Sequence, residues 1–83
     1  MKLLFLFTDE QRRDTLSCYG NDFVQMPNLN GLAAQSCVFE NAHCTNPVCT
    51  PSRGSMMTGL YPHAHGAEDN NLPLRPGVRP IDP

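Results

Sequence analysis

Chemistry concentrates in the run Cys49-Thr50-Pro51-Ser52-Arg53. A cysteine supplies a sulfur nucleophile once deprotonated, and an arginine four residues on supplies a permanent cation with a planar fork of donors. Thr50 reads as an N-cap and Pro51 suits a first helical turn, where its missing N–H is not needed. Met56, Met57 and Leu60 then give an apolar face about two turns long, and Gly59 can end the helix in a left-handed conformation. Cys49 is therefore expected just before a helix N-terminus, where backbone N–H groups and the dipole favour negative charge. A second pair, Asp9-Glu10, offers hard oxygen ligands of the kind calcium takes. A third grouping, Cys44 and Cys49 with His43, His63 and His65, could instead form a zinc site, the alternative being a non-catalytic zinc-binding module. Its Cys-x4-Cys and His-x-His spacings are looser and tighter, respectively, than the common structural zinc motifs.

The pentapeptide, followed by Met57-Thr58-Gly59, resembles the signature of the type I sulfatases, which are formylglycine-dependent, arylsulfatase-like enzymes. The resemblance extends to Phe7-Thr8-Asp9-Glu10-Gln11-Arg12, to Pro27-Asn28-Leu29 with Leu32-Ala33, and to the block 59–66, Gly-Leu-Tyr-Pro-His-Ala-His-Gly. Four blocks in the family's order are far more specific than the pentapeptide alone. Met57 stands where leucine is usual, Ala64 stands between histidines often separated by arginine, and Glu10 stands where Asp or an amide is common.

The resemblance implies an alkaline-phosphatase-like α/β fold and hydrolysis of sulfuric esters. It implies that Cys49 is converted to formylglycine by a maturation enzyme, and that the hydrated aldehyde attacks sulfur and touches a divalent metal, usually calcium. Arg53 would orient the hydrate, and Asp9 and Glu10 would be metal ligands. The family's remaining metal ligands, and the Lys and His that bind sulfate and protonate the leaving group, fall beyond this segment. Lys2 is the only lysine here. The chain thus resembles the amino-terminal segment of a sulfatase, carrying the nucleophile and part of a metal site, and is expected to be inactive alone. Its implied partners are a small-molecule or carbohydrate sulfate ester, the maturation enzyme and the remainder of the sulfatase chain. A phosphonate or phosphate ester hydrolase of the same superfamily is the alternative within the fold.

Several elements must position these residues. Residues 3–7, Leu-Leu-Phe-Leu-Phe, form an apolar run expected as a strand buried on both faces, with Asp9 and Glu10 at its carboxyl end, where open α/β sheets bind ligands. Residues 11–16 read as a short helical piece and 18–22 as a turn. A second helix starts at Pro27-Asn28, with Leu29, Leu32, Ala33 and Ser36 on one face. Residues 37–42 read as a strand, with Cys37 a small buried hydrophobe, and 43–48 as a loop delivering Cys49 to its helix. The order strand, helix, strand, helix predicts part of a mostly parallel sheet with helices on its faces, incomplete in this chain. Residues 1–60 form this part. Residues 61–83 hold five of the eight prolines and read as an extended connection, with His63 and His65 as loop residues near the mouth of the site.

The chain has 83 residues, six basic and eight acidic side chains, and a formal charge of −2. That balance gives no reason to expect nucleic acid or an anionic membrane as partner. The run 3–7 is too short for a signal-peptide core or a membrane span, so the sequence as given predicts a cytoplasmic location, with an upstream export signal left open. Four cysteines allow three fully paired disulfide patterns, but their density is below that of a disulfide scaffold.

Overall fold

The computed structural model describes residues 1–81; Asp82 and Pro83, the end of the proline-rich segment, lie outside the described residues. The chain divides into two compact units, Met1–Glu40 and Asn41–Pro83.

In the first unit, the local turn chemistry folds and the apolar run does not. Two short 3-10 turns, Arg13–Thr15 and Ser17–Tyr19, replace the expected helical piece. Gly20 closes the second in a left-handed conformation, φ 93°. The Tyr19 hydroxyl donates to the Phe39 carbonyl at 2.9 Å, and the Arg13 guanidinium lies 5.0 Å from the centre of the Tyr19 ring. Helix α1, Pro27–Ala34, begins with proline at its first turn as expected and ends before Ser36. The Asn30 side chain accepts from the Ser17 hydroxyl at 2.8 Å, tying α1 to the turn before it.

No strand is formed among the described residues. Residues 3–7 are exposed, from 86% for Leu3 to 49% for Phe7, not buried on two faces, and 37–42 form no strand either; Cys37 is exposed. The physical reason is that a strand is defined by its ladder. A central strand needs neighbours on both edges and cover on both faces, and these residues supply neither.

The second unit carries helix α2, Cys49–Thr58, and a single helical turn, α3, Pro62–His65. Gly59 ends α2 with φ 71°, its N–H donating to the Ser55 carbonyl at 2.8 Å, as the sequence predicts. Gly66 ends α3 with φ 88°, and a Cβ there would stand 2.4 Å from Arg75 Cγ. Glycine is required by both backbone and space. Residues 66–81 are not a bare connection: Arg75 N–H donates to the His65 carbonyl at 2.8 Å and Ile81 N–H to the Met57 carbonyl at 2.6 Å. The buried residues, Pro51, His65 and Ala67, all belong to this unit. The face carrying Met56, Met57 and Leu60 is not covered; each is 40% exposed.

Large apolar side chains, among them Leu3, Leu4, Leu6 and Phe23, remain exposed.

Candidate active site

Cys49 is the first residue of α2, not the residue before it, and is exposed. Val48 holds the cap position but contributes no side-chain hydrogen bond, so Thr50 is not the N-cap. Two asparagines do the local work instead. Asn46 Oδ1 accepts from Val48 N–H at 2.9 Å, and Asn70 Oδ1, twenty residues on, accepts from Thr50 N–H at 3.1 Å. The backbone on each side of Cys49 is thereby fixed. Pro51 costs the helix nothing in its first turn, because N–H groups there have no intrahelical acceptor.

Arg53 follows Cys49 at the i+4 position of the same helix, which puts the two side chains on one face, about 5–6 Å apart at Cβ. Both sit near the positive end of the helix dipole. This face suits a negatively charged oxygen or sulfur on residue 49. An open hollow of about 200 Å³ beside the same helix is lined by His43, Cys44, Thr45, Ser52, Ser55 and Met56. Cys49 and Arg53 do not line it.

Behind the first turn of α2 lies His65, fully buried and part of α3, not a loop residue at the mouth of a site. Its Nδ1 accepts from Ala67 N–H at 3.1 Å. The acceptor role leaves the ring proton on Nε2, a tautomer assigned from the hydrogen-bond network. Nε2 lies 3.2 Å from both the Pro51 carbonyl and Ser55 Oγ, and Thr45 Oγ1 donates to Ser55 Oγ at 2.9 Å. The ring also rests on Gly54, where a Cβ would come within 2.7 Å of Cε1. Glycine inside a helix costs up to about 1 kcal/mol relative to alanine. Its presence at 54 is the sequence signal that something packs against that position, and the sequence reading passed over it. Asn70 carried no comparable signal.

Asp9 and Glu10 are exposed in the first unit, and Glu10 holds a left-handed backbone, φ 51°, unusual for a residue with a side chain. Cys49 and Arg53 belong to the second unit. No group of three or more His, Cys, Asp or Glu residues that could hold a metal ion is found among the described residues. That counts against the zinc module, whose proposed donor His65 has both ring nitrogens engaged. None of the four cysteines is in a disulfide. No helix among the described residues is long and apolar enough to cross a membrane.

The family model described as Sulfatase matches residues 2–82. The chain belongs to the sulfatase family. It is 34% identical to an N-acetylglucosamine-6-O-sulfatase of Bacteroides thetaiotaomicron over 82% of its length. It is 38% identical to an arylsulfatase of Clostridium perfringens over 77%, and 33% identical to the human N-acetylgalactosamine-6-sulfatase over 94%. These matches cover 12%, 13% and 15% of the respective relatives. The chain therefore spans a small part of the length of the curated sulfatases it resembles. No solved structure matches it. The sulfatase family implies an alkaline-phosphatase-like α/β fold, and the strands of such a sheet are not formed by the described residues.

Proposed function

We propose that this chain is the nucleophile-bearing amino-terminal segment of a sulfuric ester hydrolase, with Cys49 the site of conversion to formylglycine. The observation that carries the reading is Cys49 at the first position of α2 with Arg53 one turn on, in a chain of the sulfatase family. Formylglycine, as its hydrate, supplies a nucleophilic oxygen for attack on sulfur. Arg53 offsets negative charge on residue 49 and orients it, and the α2 dipole adds to that effect. The asparagine caps at Val48 and Thr50 hold the residue still, which turns proximity into rate.

Asp9 and Glu10 are hard oxygen donors suited to a divalent cation, with calcium the expected ion. An oxygen on residue 49 is a donor of the same hard kind. Calcium takes six to eight oxygens, so two carboxylates are a partial set and the remaining ligands come from the rest of the chain. When bound, such an ion neutralises sulfuryl oxygens. In that longer chain residues 3–7 become a central strand, and residues 61–83 lead into the remainder of the catalytic domain. Two relatives are named for sulfates of amino sugars, which favours a carbohydrate sulfate ester as substrate over a phosphonate or phosphate ester.

The test is mass spectrometry of the peptide containing Cys49 after expression with a competent maturation system. A loss of about 18 Da relative to the thiol, from –CH2SH to –CHO, is expected. Cys18, Cys37 and Cys44 should stay unmodified, lacking Pro and Arg at the required spacing. Intact thiol in every molecule would overturn the assignment. For the metal, calorimetric titration of calcium into a longer sulfatase chain carrying this segment should lose at least about tenfold in affinity on Asp9→Ala. Unchanged affinity would put the ion elsewhere.

A further inference from the structure

The Cys-x-Pro-Ser-Arg turn does not explain its own rigidity. Val48 gives α2 no side-chain cap, and the helix contains a glycine. Beyond Asn46 on Val48 N–H, the side chains that hold the first turn come from downstream in the chain: Asn70 on Thr50 N–H, and His65 on the Pro51 carbonyl. His65 is the better placed of the two. It is wholly buried, both ring nitrogens have partners, and one of them reaches backbone two residues after Cys49. Through Ser55 Oγ it also reaches Thr45, in the loop that leads into Cys49. Its ring occupies the space that a side chain at position 54 would fill.

We propose that His65 is a positioning residue for the nucleophile at position 49, acting as a neutral Nε2–H imidazole that fixes the first turn of α2 through the Pro51 carbonyl. The inference rests on the sulfatase reading above. It has a chemical rationale beyond packing. An apolar residue could fill the same space, but it would leave the Ala67 N–H buried without its acceptor and remove the imidazole donor from the Pro51 carbonyl. Catalysis by an oriented nucleophile is sensitive to displacements of about 1 Å, which can cost on the order of a hundredfold in rate.

The experiment uses a longer sulfatase chain carrying this segment, matured and assayed with an aryl sulfate, comparing wild type with His65→Leu, His65→Gln and Gly54→Ala. Rates are divided by the formylglycine content measured by mass spectrometry. His65→Leu should lower kcat by about thirty- to a hundredfold with KM changed less than about threefold. His65→Gln, which keeps a donor near the Nε2 position, should recover at least about tenfold of that loss. Gly54→Ala, which displaces the ring without removing a polar group, should lower kcat by about tenfold. In the wild type, two-dimensional 15N spectra of the imidazole should show protonated Nε2 and bare Nδ1. An unchanged kcat per formylglycine, equal losses in the Leu and Gln variants, or an Nδ1–H tautomer would each overturn the proposal. If His65→Leu fails to fold, Gly54→Ala and the tautomer decide. Wild type that carries formylglycine yet hydrolyses no sulfate ester would sink the sulfatase reading instead, leaving the tautomer and the thermal stability of the variants to judge the clamp.

Discussion

The two units differ in what they can bury by themselves. Met1–Glu40 holds the most apolar stretch of the chain and buries no residue. Asn41–Pro83 is richer in proline, yet it builds a small closed centre from His65, Pro51 and Ala67. Hydrophobicity is thus a poor guide to which part of this chain is self-supporting. An apolar strand depends on partners brought from elsewhere, whereas a buried imidazole with both nitrogens satisfied needs only groups within its own loop-and-helix unit.

Four substitutions break or sharpen that contrast. The largest effect belongs to Leu4→Asp, and it should appear in only one setting. In a longer sulfatase chain, with residues 3–7 in the covered strand proposed above, it should cost about 3–5 kcal/mol by urea denaturation. In the 83-residue chain it should cost less than about 0.5 kcal/mol, because Leu4 is already 80% exposed. A comparable loss in both would mean that the first unit buries this run unaided. Next is Gly66→Ala, which forces a Cβ onto a backbone with φ 88° and against Arg75 Cγ. A loss of about 2–4 kcal/mol is expected, seen as faster amide exchange at His65, Ala67 and Arg75 and not in residues 3–7. If exchange in both units rose together, they would not be independent.

Asn70→Ala removes the acceptor for Thr50 N–H and should cost about 1 kcal/mol, read from the thermal midpoint of the second unit. No change would show that water serves Thr50 equally well. Smallest is Arg75→Ala. Its ion pair with Glu68 spans 4.0 Å between half-exposed side chains, so about 0.5 kcal/mol or less is expected after loss of the aliphatic contact with Gly66. An effect above about 2 kcal/mol would mean that this exposed pair matters more than such pairs do.

What could be read from sequence divides along the same line. The start of α1 at Pro27 and the stop of α2 at Gly59 were legible because each is decided by the conformational limits of one residue. The family was legible because four short blocks stand in order. The strands were not legible as a property of these residues, since a ladder is a relation between segments. Nor was the role of His65. Its partners Pro51 and Ser55 lie 14 and 10 residues away, and nothing in the pattern Pro-His-Ala-His distinguishes the buried histidine from its exposed neighbour. The apolar spacing of Met56, Met57 and Leu60 suggested a buried face, and each of the three is 40% exposed.

The four cysteines stand unpaired, with Cys37, Cys44 and Cys49 exposed and Cys18 half-buried. A colorimetric thiol reagent applied to the native chain should therefore find three sulfhydryls quickly and a fourth more slowly. Conversion of Cys49 would leave two fast sulfhydryls and create one carbonyl able to condense with a hydrazide dye. The ratio of those two colours would give the occupancy of the modification in a batch of protein, without digestion and before any substrate has been chosen.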